Sequence, residues 1–450
     1  MRITAETGTD QRAVRPSSGS TRNLLPPPSV REKLWSSRAE RYELLAAARA
    51  ALLWKGKVEG LQHPHDWHRT AKCKWVMIST TVGIHLSREH QKAFYSGLMN
   101  CGSVWACPVC AAKVQERRRT EIQQAIDWVY ENGLQPVMVT LTFPHYRWNK
   151  LSDLVSQQAD ALKRLRAGAP WSRFKDRVGY QGLIRALELT YGANSWHPHT
   201  HEIWIVDSNA KADEMRVQIL ERWKSSCARA GLLDLSNAGQ VAAFEAHAVD
   251  VKGWVTASDY LAKQDDSRHW GIDREMAKAS TKSGKSKGIH PFGLLADAAE
   301  GDKKSGALFI EYADVMKGKR QLFWSKGLKS RVGIEDMTDE QLVEEDQDIA
   351  DMLAQLEVED WRLIREGNKR AQLLELVERG GRWPEIQALL QDISRSRRLS
   401  SAPSASTLPV VSELPQAMFS VSQSAGPDPC KPNETFQAEY QEHQLSLVPE

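Results

Sequence analysis

The sequence lacks several features that would assign it quickly to a class. None of its apolar runs approaches the roughly 20 residues that a membrane-spanning helix needs. The first thirty residues are polar, contain three consecutive prolines and lack the apolar core of a secretory signal. Cysteine is scarce, with six residues in 450, and no internal repeat is present. These absences argue against a membrane protein, a disulfide-rich secreted domain and a repeat array, and they make the cytoplasm the expected location.

The chain also lacks a large net charge, but its charges are segregated. The formal net charge is +3. Residues 335–361 hold twelve acidic residues and no basic ones, whereas residues 1–334 hold 50 basic against 34 acidic residues. A surplus of sixteen positive charges on the larger part favours an anionic partner such as nucleic acid.

Composition and periodicity divide the chain into five parts. Residues 1–30 and 396–450 are rich in Ser, Pro or Gln and are expected to be disordered. Residues 31–118 contain an amphipathic helix followed by a cysteine module, and residues 119–334 alternate between strand-like and helix-like segments. Residues 335–395 are expected to form an acidic helical region, whose apolar stripe leaves oligomerisation open.

The periodicity predicts an α+β fold with an antiparallel sheet flanked by helices. The predicted strands lie at 137–143, 182–190, 199–206, 241–251 and 320–324. The predicted helices lie at 31–55, 151–167, 211–231, 254–264 and 291–317, with a basic helix from about 113. A capping box at Thr338 and Gln341 is expected to open a long acidic helix that runs to Gly380, and Pro384 to start another.

The most informative segment is Trp196 to Val206, which reads Trp-His-Pro-His-Thr-His-Glu-Ile-Trp-Ile-Val. Alternate residues of a β-strand lie on one face, so His199 and His201 are predicted to point in the same direction. Two imidazoles in that arrangement can bind one divalent cation. His197 precedes Pro198 and is expected to shape the turn instead.

A third ligand is expected from the preceding strand. The segment 183–190 is separated from the histidines by a short turn that contains Gly192 and Asn194. If the two strands form a hairpin, Glu188 lies opposite the region of His199 and His201 and can point to the same side. A carboxylate beside two imidazoles suits a hard cation such as Mg²⁺ or Mn²⁺.

A second metal site is predicted from the cysteines. Four of the six stand close together in the sequence, at Cys73, Cys101, Cys107 and Cys110. Four thiolates in a cytosolic chain suit a tetrahedral Zn²⁺ site with a structural role. His85 or His90 is an alternative to Cys73 as the fourth ligand. The module is expected to present the basic run at 117–119 to DNA phosphates.

Two further patterns carry less information by themselves. Tyr260 and Lys263 are three residues apart, which places them on one face of the predicted helix. Sixteen tryptophans are present, and Trp196, Trp204 and Trp254 flank the histidine segment or the tyrosine. These three could stack unpaired bases, although core packing is the more usual role of tryptophan.

Taken together, the motifs resemble rolling-circle replication initiators of the HUH endonuclease superfamily. Their three-motif order is matched by Val-Thr-Leu-Thr-Phe-Pro at 139–144, His-Pro-His-Thr-His at 197–201 and Tyr-Leu-Ala-Lys at 260–263. The resemblance is strongest to bacterial plasmid Rep proteins that also carry Cys-Gly-Ser-Val-Trp-x-Cys-Pro-x-Cys, found here at 101–110. The likeness covers about residues 70–330.

The resemblance implies that residues 119–334 form an HUH-type nuclease domain. It implies that His199 and His201 bind the catalytic metal, that Tyr260 attacks a phosphodiester in single-stranded or locally melted origin DNA, and that Lys263 assists. The products would be a 5′-phosphotyrosine and a free 3′-OH, used with host helicase and polymerase. Some relatives place a glutamate four residues before the tyrosine, where this chain has Thr256, so the way a round ends stays open.

Two other functions are compatible with the same motifs. A transposase or a mobilisation relaxase would share the chemistry but act on different DNA. A zinc-containing, non-catalytic DNA-binding regulator would use the histidines only for structure, and it would be indifferent to loss of the Tyr260 hydroxyl.

Overall fold

The computed structural model describes residues 38–61, 63–256, 288–344 and 350–401. Tyr260, Lys263 and almost all of the helix predicted at 254–264 lie outside these ranges. So do residues 1–30 and most of 396–450. None of the described helices combines the length and the apolar character that crossing a bilayer requires.

The described ranges contain eight strands in two antiparallel sheets. In chain order they are β1 (Val82–Ser87), β2 (Ala93–Ser96), β3 (Leu134–Leu141), β4 (Gly182–Gly192), β5 (Ser195–Asp207), β6 (Val249–Lys252), β7 (Leu322–Trp324) and β8 (Ala350–Leu356). The larger sheet has the order β6-β3-β5-β4-β7, and the smaller has the order β2-β1-β8. The structure therefore confirms the α+β class with antiparallel sheets flanked by helices.

The described helices pack on both faces of the larger sheet, and some of them pack on the smaller sheet. They are α1 (Arg38–Val58), α2 (Arg69–Lys72), α3 (Pro108–Glu131), α4 (Leu151–Leu165), α5 (Gly168–Val178), α6 (Ala212–Arg229), α7 (Ala238–His247), α8 (Pro291–Ala299), α9 (Lys303–Met316), α10 (Leu328–Val332), α11 (Asp339–Glu344), α12 (Val358–Glu366), α13 (Arg370–Glu378) and α14 (Trp383–Ser401). Most predicted helices are found within a few residues of their expected bounds. The basic helix begins earlier than expected, because Pro108 is favoured at the first helical position.

The hairpin of β4 and β5 is the centre of the larger sheet. Its two strands are joined by a short turn at residues 193–194, as the sequence predicts. The register places Glu188 opposite His199 and Ala186 opposite His201, and β3 places Thr140 opposite His201 on the other side. Directly opposed residues share a face of the sheet, so these groups lie together.

Each face of the larger sheet has its own apolar layer. On the face that carries the histidines, Ile122 and Ile126 of α3 pack against Ile184 and Ile203. On the opposite face, Trp204 lies edge-on to an aromatic group made of Trp171, Phe174 and Tyr180. Because β5 is buried on both faces, its histidines are held on a rigid strand.

A buried ion pair fixes the strand immediately after the metal-site histidines. Glu202 is fully buried on the face opposite to His201 and forms an ion pair with Arg166. The Nε1 atom of Trp204 also donates a hydrogen bond of 2.6 Å to the Glu202 carboxylate. A buried carboxylate needs such partners to offset its desolvation.

The smaller sheet contradicts one sequence prediction. Residues 342–356 are not a continuous acidic helix, because Ala350–Leu356 forms β8 and pairs with β1. β1 is already paired with β2 on one side, and β8 satisfies the hydrogen-bonding groups of its other edge. The capping box is confirmed, with Gln341 N donating to Thr338 Oγ1 at 3.2 Å, but it opens only the short helix α11.

A second contradiction concerns the strand predicted at 241–251. Residues 238–247 form helix α7, and only Val249–Lys252 is a strand. Asn237 caps the helix, with its Oδ1 accepting from Gln240 N at 3.0 Å. The strand was predicted from the alternation of apolar and polar residues. An N-cap followed by an alanine-rich segment favours a helix instead.

Residues 350–378 pack against the cysteine module. Trp361 Nε1 donates to the carbonyl of Trp75 at 3.1 Å, and Tyr95 Oη donates to the carbonyl of Arg370 at 2.7 Å. The buried Arg370 donates in return to the carbonyl of Lys74 at 3.1 Å. The acidic region therefore covers the cysteine module, which lies far earlier in the sequence.

Candidate metal centres

The first centre brings together Glu188, His199 and His201, the three residues chosen from the sequence. Glu188 Oε2 lies 3.3 Å from His199 Nε2 and 3.4 Å from His201 Nε2. The three ligand atoms lie within 4.8 Å of one another, which is close enough to bind one cation. The register of the β4–β5 hairpin is what produces this arrangement.

The outer nitrogens of both imidazoles have hydrogen-bond partners. His199 Nδ1 lies 3.2 Å from the carbonyl oxygen of His197, and His201 Nδ1 lies 3.0 Å from Thr140 Oγ1. A carbonyl oxygen can only accept, so His199 carries a proton on Nδ1 and presents Nε2 to Glu188. That is the state in which histidine binds a metal through Nε2 while a second partner fixes its orientation.

The carboxylate of Glu188 provides a test of whether a cation fits. Its Oε2 atom is buried and accepts no hydrogen bond from the described residues, although it faces the two Nε2 atoms. Burial opposes ionisation, but the side chains of His199 and His201 outweigh burial and hold the pKa of Glu188 well below its ordinary value. An ionised, buried oxygen without a donor is what a bound cation would satisfy.

Two further histidines lie beside this centre and were missed in the sequence. His145 stacks on His197 at 4.5 Å between ring centres, and His197 stacks on His199 at 4.9 Å. Burial lowers the pKa of His197 to about 3, so that ring is neutral at pH 7. His290 lines the same cavity as Glu188 and caps α8 by accepting from Phe292 N.

The sequence contained one signal for His145 and none for His290. His145 directly follows Pro144, which closes the strand motif at 139–144, so its proximity to the neighbouring strand could have been inferred. His290 reaches β4 because Ile289 pairs with Tyr191 outside the regular strands. Such an isolated pairing leaves no periodic pattern in the sequence.

A Glu188→Gln substitution is expected to weaken Mn²⁺ binding by more than 100-fold, because it removes the only negative charge of the three-residue cluster. Thr140→Val, which removes only the partner of His201 Nδ1, is expected to weaken binding by about 10–100-fold. Titration calorimetry with Mn²⁺ measures both effects. His90→Ala, at an exposed histidine, is the matched control. Equal affinity in the Glu188→Gln and control proteins would contradict this assignment.

The second centre is formed by the four cysteines. Cys73 Sγ lies 3.5 Å from Cys110 Sγ and 3.7 Å from Cys107 Sγ, and Cys101 Sγ lies 3.7 Å from Cys110 Sγ. Four sulfurs around a tetrahedral ion with bonds of about 2.3 Å are about 3.8 Å apart. The observed separations match that figure and exceed the 2.05 Å of a disulfide. The cluster has the shape of a tetrathiolate metal site.

Local structure explains how these sulfurs converge. Cys107 is the N-cap of α3, and its sulfur accepts a contact of 3.4 Å from Cys110 N. Thr70 Oγ1 lies 3.7 Å from Cys101 Sγ, and Cys73 follows directly after the short helix α2. Cys73 is therefore the fourth member of the cluster. His85 lies elsewhere, on the β1–β2 hairpin, where it forms a hydrogen bond with Ser96.

The predicted DNA-facing role of the basic run at 117–119 is wrong for Arg118. Its guanidinium is half-buried and donates to Glu121 at 2.9 Å and to Asp339 at 3.1 Å. Arg119 lies 3.9 Å from Glu116 and remains partly exposed. Arg118 therefore helps to join α3 to α11.

Two of the three tryptophans considered for base stacking are also excluded by the structure. Trp196 and Trp204 are buried, and only Trp254 has half of its surface exposed. A further exposed tryptophan is Trp148, which is 70% exposed and stacks on Tyr146.

Known proteins resemble this chain in sequence. A curated relative named Protein rep, from Streptomyces lividans, is 28% identical in an alignment that covers 53% of this chain and 65% of the relative. A Neomycin resistance protein from Streptomyces cyanogenus is 35% identical over 136 residues, which is 24% of this chain and 31% of the relative. The chain thus matches less than two thirds of the length of either relative. No solved structure gives a significant match.

A family model supplies the broader assignment. The model described as Replication protein matches residues 98–370, a range that includes three of the four clustered cysteines and the whole Glu188 centre. This match and the relative named Protein rep confirm the resemblance to plasmid Rep proteins that was drawn from the motifs. Because the match spans more than half of the chain, this protein belongs to the replication protein family.

Proposed function

We propose that this protein initiates rolling-circle replication of a plasmid by nicking one strand of origin DNA and later rejoining it. The observation that carries the proposal is the convergence of Glu188, His199 and His201 in a chain of the replication protein family. The fold would then be of HUH type, with the metal ligands on the central hairpin of an antiparallel sheet. The reaction would take place in the cytoplasm, where plasmid DNA resides.

The two centres would hold different ions. Glu188 Oε2 and the two Nε2 atoms offer one hard and two intermediate ligands and leave coordination positions open, which suits Mg²⁺ or Mn²⁺. The four buried thiolates suit structural Zn²⁺. When bound, the first ion would polarise the oxygens of the scissile phosphate.

The nucleophile in this proposal is Tyr260. Its phenolic oxygen attacks the phosphorus, the P–O3′ bond breaks, and the phosphate becomes joined to the tyrosine oxygen at the 5′ end. The phenol loses its proton and the departing 3′ oxygen gains one, which gives a free 3′-OH. Ionising a tyrosine at pH 7 costs about 4 kcal/mol, so a nearby cation and the Lys263 ammonium would favour the reaction.

Chain topology supports this assignment. β6 pairs with β3, and Thr140 of β3 is opposite both His201 of β5 and Asp250 of β6. Tyr260 follows the end of β6 at Lys252 by eight residues. The chain thus leaves the sheet from β6, the strand next to β3, and continues towards the proposed nucleophile. Thr140 of β3 is the residue that contacts His201.

The proposal is tested with a labelled single-stranded oligonucleotide that carries the plasmid origin. We expect a covalent protein–DNA product in the presence of Mn²⁺, a free 3′-OH on the released fragment, and no product after chelation. Mass spectrometry of the digested adduct is expected to place the nucleotide on Tyr260. A second oligonucleotide that carries the free 3′-OH is expected to be joined to the adduct without ATP, because the bond energy is retained.

The outcomes separate the alternatives. A non-catalytic regulator would bind the origin and form no adduct with any metal, which would overturn the proposal. A transposase or a relaxase would form the adduct on transposon ends or on a transfer origin in preference to the replication origin.

A further inference from the structure

We propose that Trp148 is a stacking platform for an unpaired base of the DNA strand that enters the Glu188 centre. The inference deepens the function proposed above and rests on it. Trp148 is the most exposed large apolar side chain in the described part of the protein, at 70%. That exposure leaves the indole accessible to a ligand.

The indole is held in one orientation by its neighbours. Its ring lies parallel to that of Tyr146, with 4.8 Å between the centres and 3° between the planes. The Tyr146 hydroxyl accepts a hydrogen bond of 2.6 Å from Gln240 Nε2. Asn149 closes the loop, because its Oδ1 accepts from Tyr146 N at 2.7 Å. The platform is therefore fixed before any ligand binds, so stacking costs little conformational entropy.

The same loop is connected to the metal centre. His145 stacks on His197, which in turn stacks on His199. Trp148 is three positions after His145 in the sequence, so their Cα atoms are at most about 11 Å apart. The platform and the metal centre are therefore connected by one short loop and a row of three stacked histidines.

The charges beside the platform match the backbone of a nucleic acid. Arg147 and Lys150 are exposed on either side of Trp148. An aromatic ring together with neighbouring cations is the usual composition of a single-strand binding surface, in which the ring binds a base and the cations contact phosphates. Bases in a duplex are already stacked on each other, so the platform should select single-stranded DNA.

The test measures binding without cleavage. A fluorescently labelled single-stranded oligonucleotide of mixed sequence is titrated with the full chain in buffer without added Mg²⁺ or Mn²⁺, and anisotropy gives Kd. Trp148→Ala and Trp148→Leu are expected to raise Kd by about 5- to 150-fold, the range for losing one stacked base. Trp148→Phe is expected to retain most of the affinity, since a phenyl ring still stacks. Trp383→Leu, at an exposed tryptophan of α14, is the control and should leave Kd unchanged.

Salt dependence separates stacking from charge. Trp148→Leu is expected to leave the slope of log K against log salt unchanged, whereas Arg147→Gln should reduce its magnitude by about 0.7. A blunt duplex of the same sequence should bind the wild type and Trp148→Leu equally. Unchanged single-strand affinity in Trp148→Leu, or an equal loss on the duplex, would overturn the inference.

The result is independent of the cleavage reaction. If Trp148 supports single-strand binding but no adduct forms with Mn²⁺, the proposed nicking function fails and the platform stands. If the adduct forms and Trp148→Leu binds like the wild type, the platform fails and the nicking function stands.

Discussion

A Tyr260→Phe protein is expected to bind single-stranded origin DNA with unchanged affinity and to form no covalent adduct. The substitution removes one oxygen atom, which is the atom proposed to attack phosphorus. Cleavage should fall by about 10⁴-fold or more, the size seen when an enzyme loses its nucleophile. Denaturing gel electrophoresis of the labelled oligonucleotide with Mn²⁺ measures adduct and cleavage together, and anisotropy without added Mg²⁺ or Mn²⁺ measures binding.

The control is Tyr440→Phe, at a tyrosine that lies outside the range 98–370 matched by the family model. It should form adduct at the wild-type rate. Undiminished adduct in Tyr260→Phe would show that another residue is the nucleophile, and digestion of that adduct would identify it. Loss of binding in Tyr260→Phe would instead give this residue a structural role.

A protein with Cys107→Ser and Cys110→Ser is expected to lose one equivalent of zinc and the fold of the cysteine module. Structural zinc contributes about 10–16 kcal/mol in small zinc domains, and whole domains are stable by only about 5–15 kcal/mol. Loss of the ion should therefore unfold the module rather than loosen it. Metal analysis of the purified protein and the Tm from circular dichroism check the prediction.

Cys227→Ser is the matched control for this experiment. Cys227 is also a buried free cysteine, but it lies on α6 and outside the cluster. This variant should keep its zinc and lose at most about 1–3 kcal/mol, the cost of burying a hydroxyl without a partner. If the double serine variant kept its full zinc content, the assignment of a tetrathiolate zinc site would be wrong.

The parts of the candidate sites that could be predicted are those encoded within short segments. The β4–β5 hairpin has alternating strands and a short turn, so Glu188 could be placed opposite the region of His199 and His201 without coordinates, whereas the exact pairing with His199 comes from the structure. The cysteines were recognisable by residue type and spacing. His290 could not be placed, because it reaches β4 through one isolated pairing between Ile289 and Tyr191.

The errors in the predicted fold also have a common physical cause. The apolar residues of 342–356 fit a helical period, and only the unpaired edge of β1 turns 350–356 into a strand. The burial of Arg118 similarly depends on Asp339, which is 221 residues away. Contacts of that range override local propensity and are not visible in a window of ten or fifteen residues.

The pairing of β1 with β8 has a consequence for biosynthesis. About 260 residues separate the two strands, and a ribosome adds about 5–20 residues per second, so β1 must wait roughly 13–50 s for its second partner. During that interval Val82–Ser87 has β2 on one side only, and β3, β4 and β5 are synthesised before β8 arrives. The smaller sheet thus begins with strands that leave the ribosome early, but it is completed only when β8 has been synthesised.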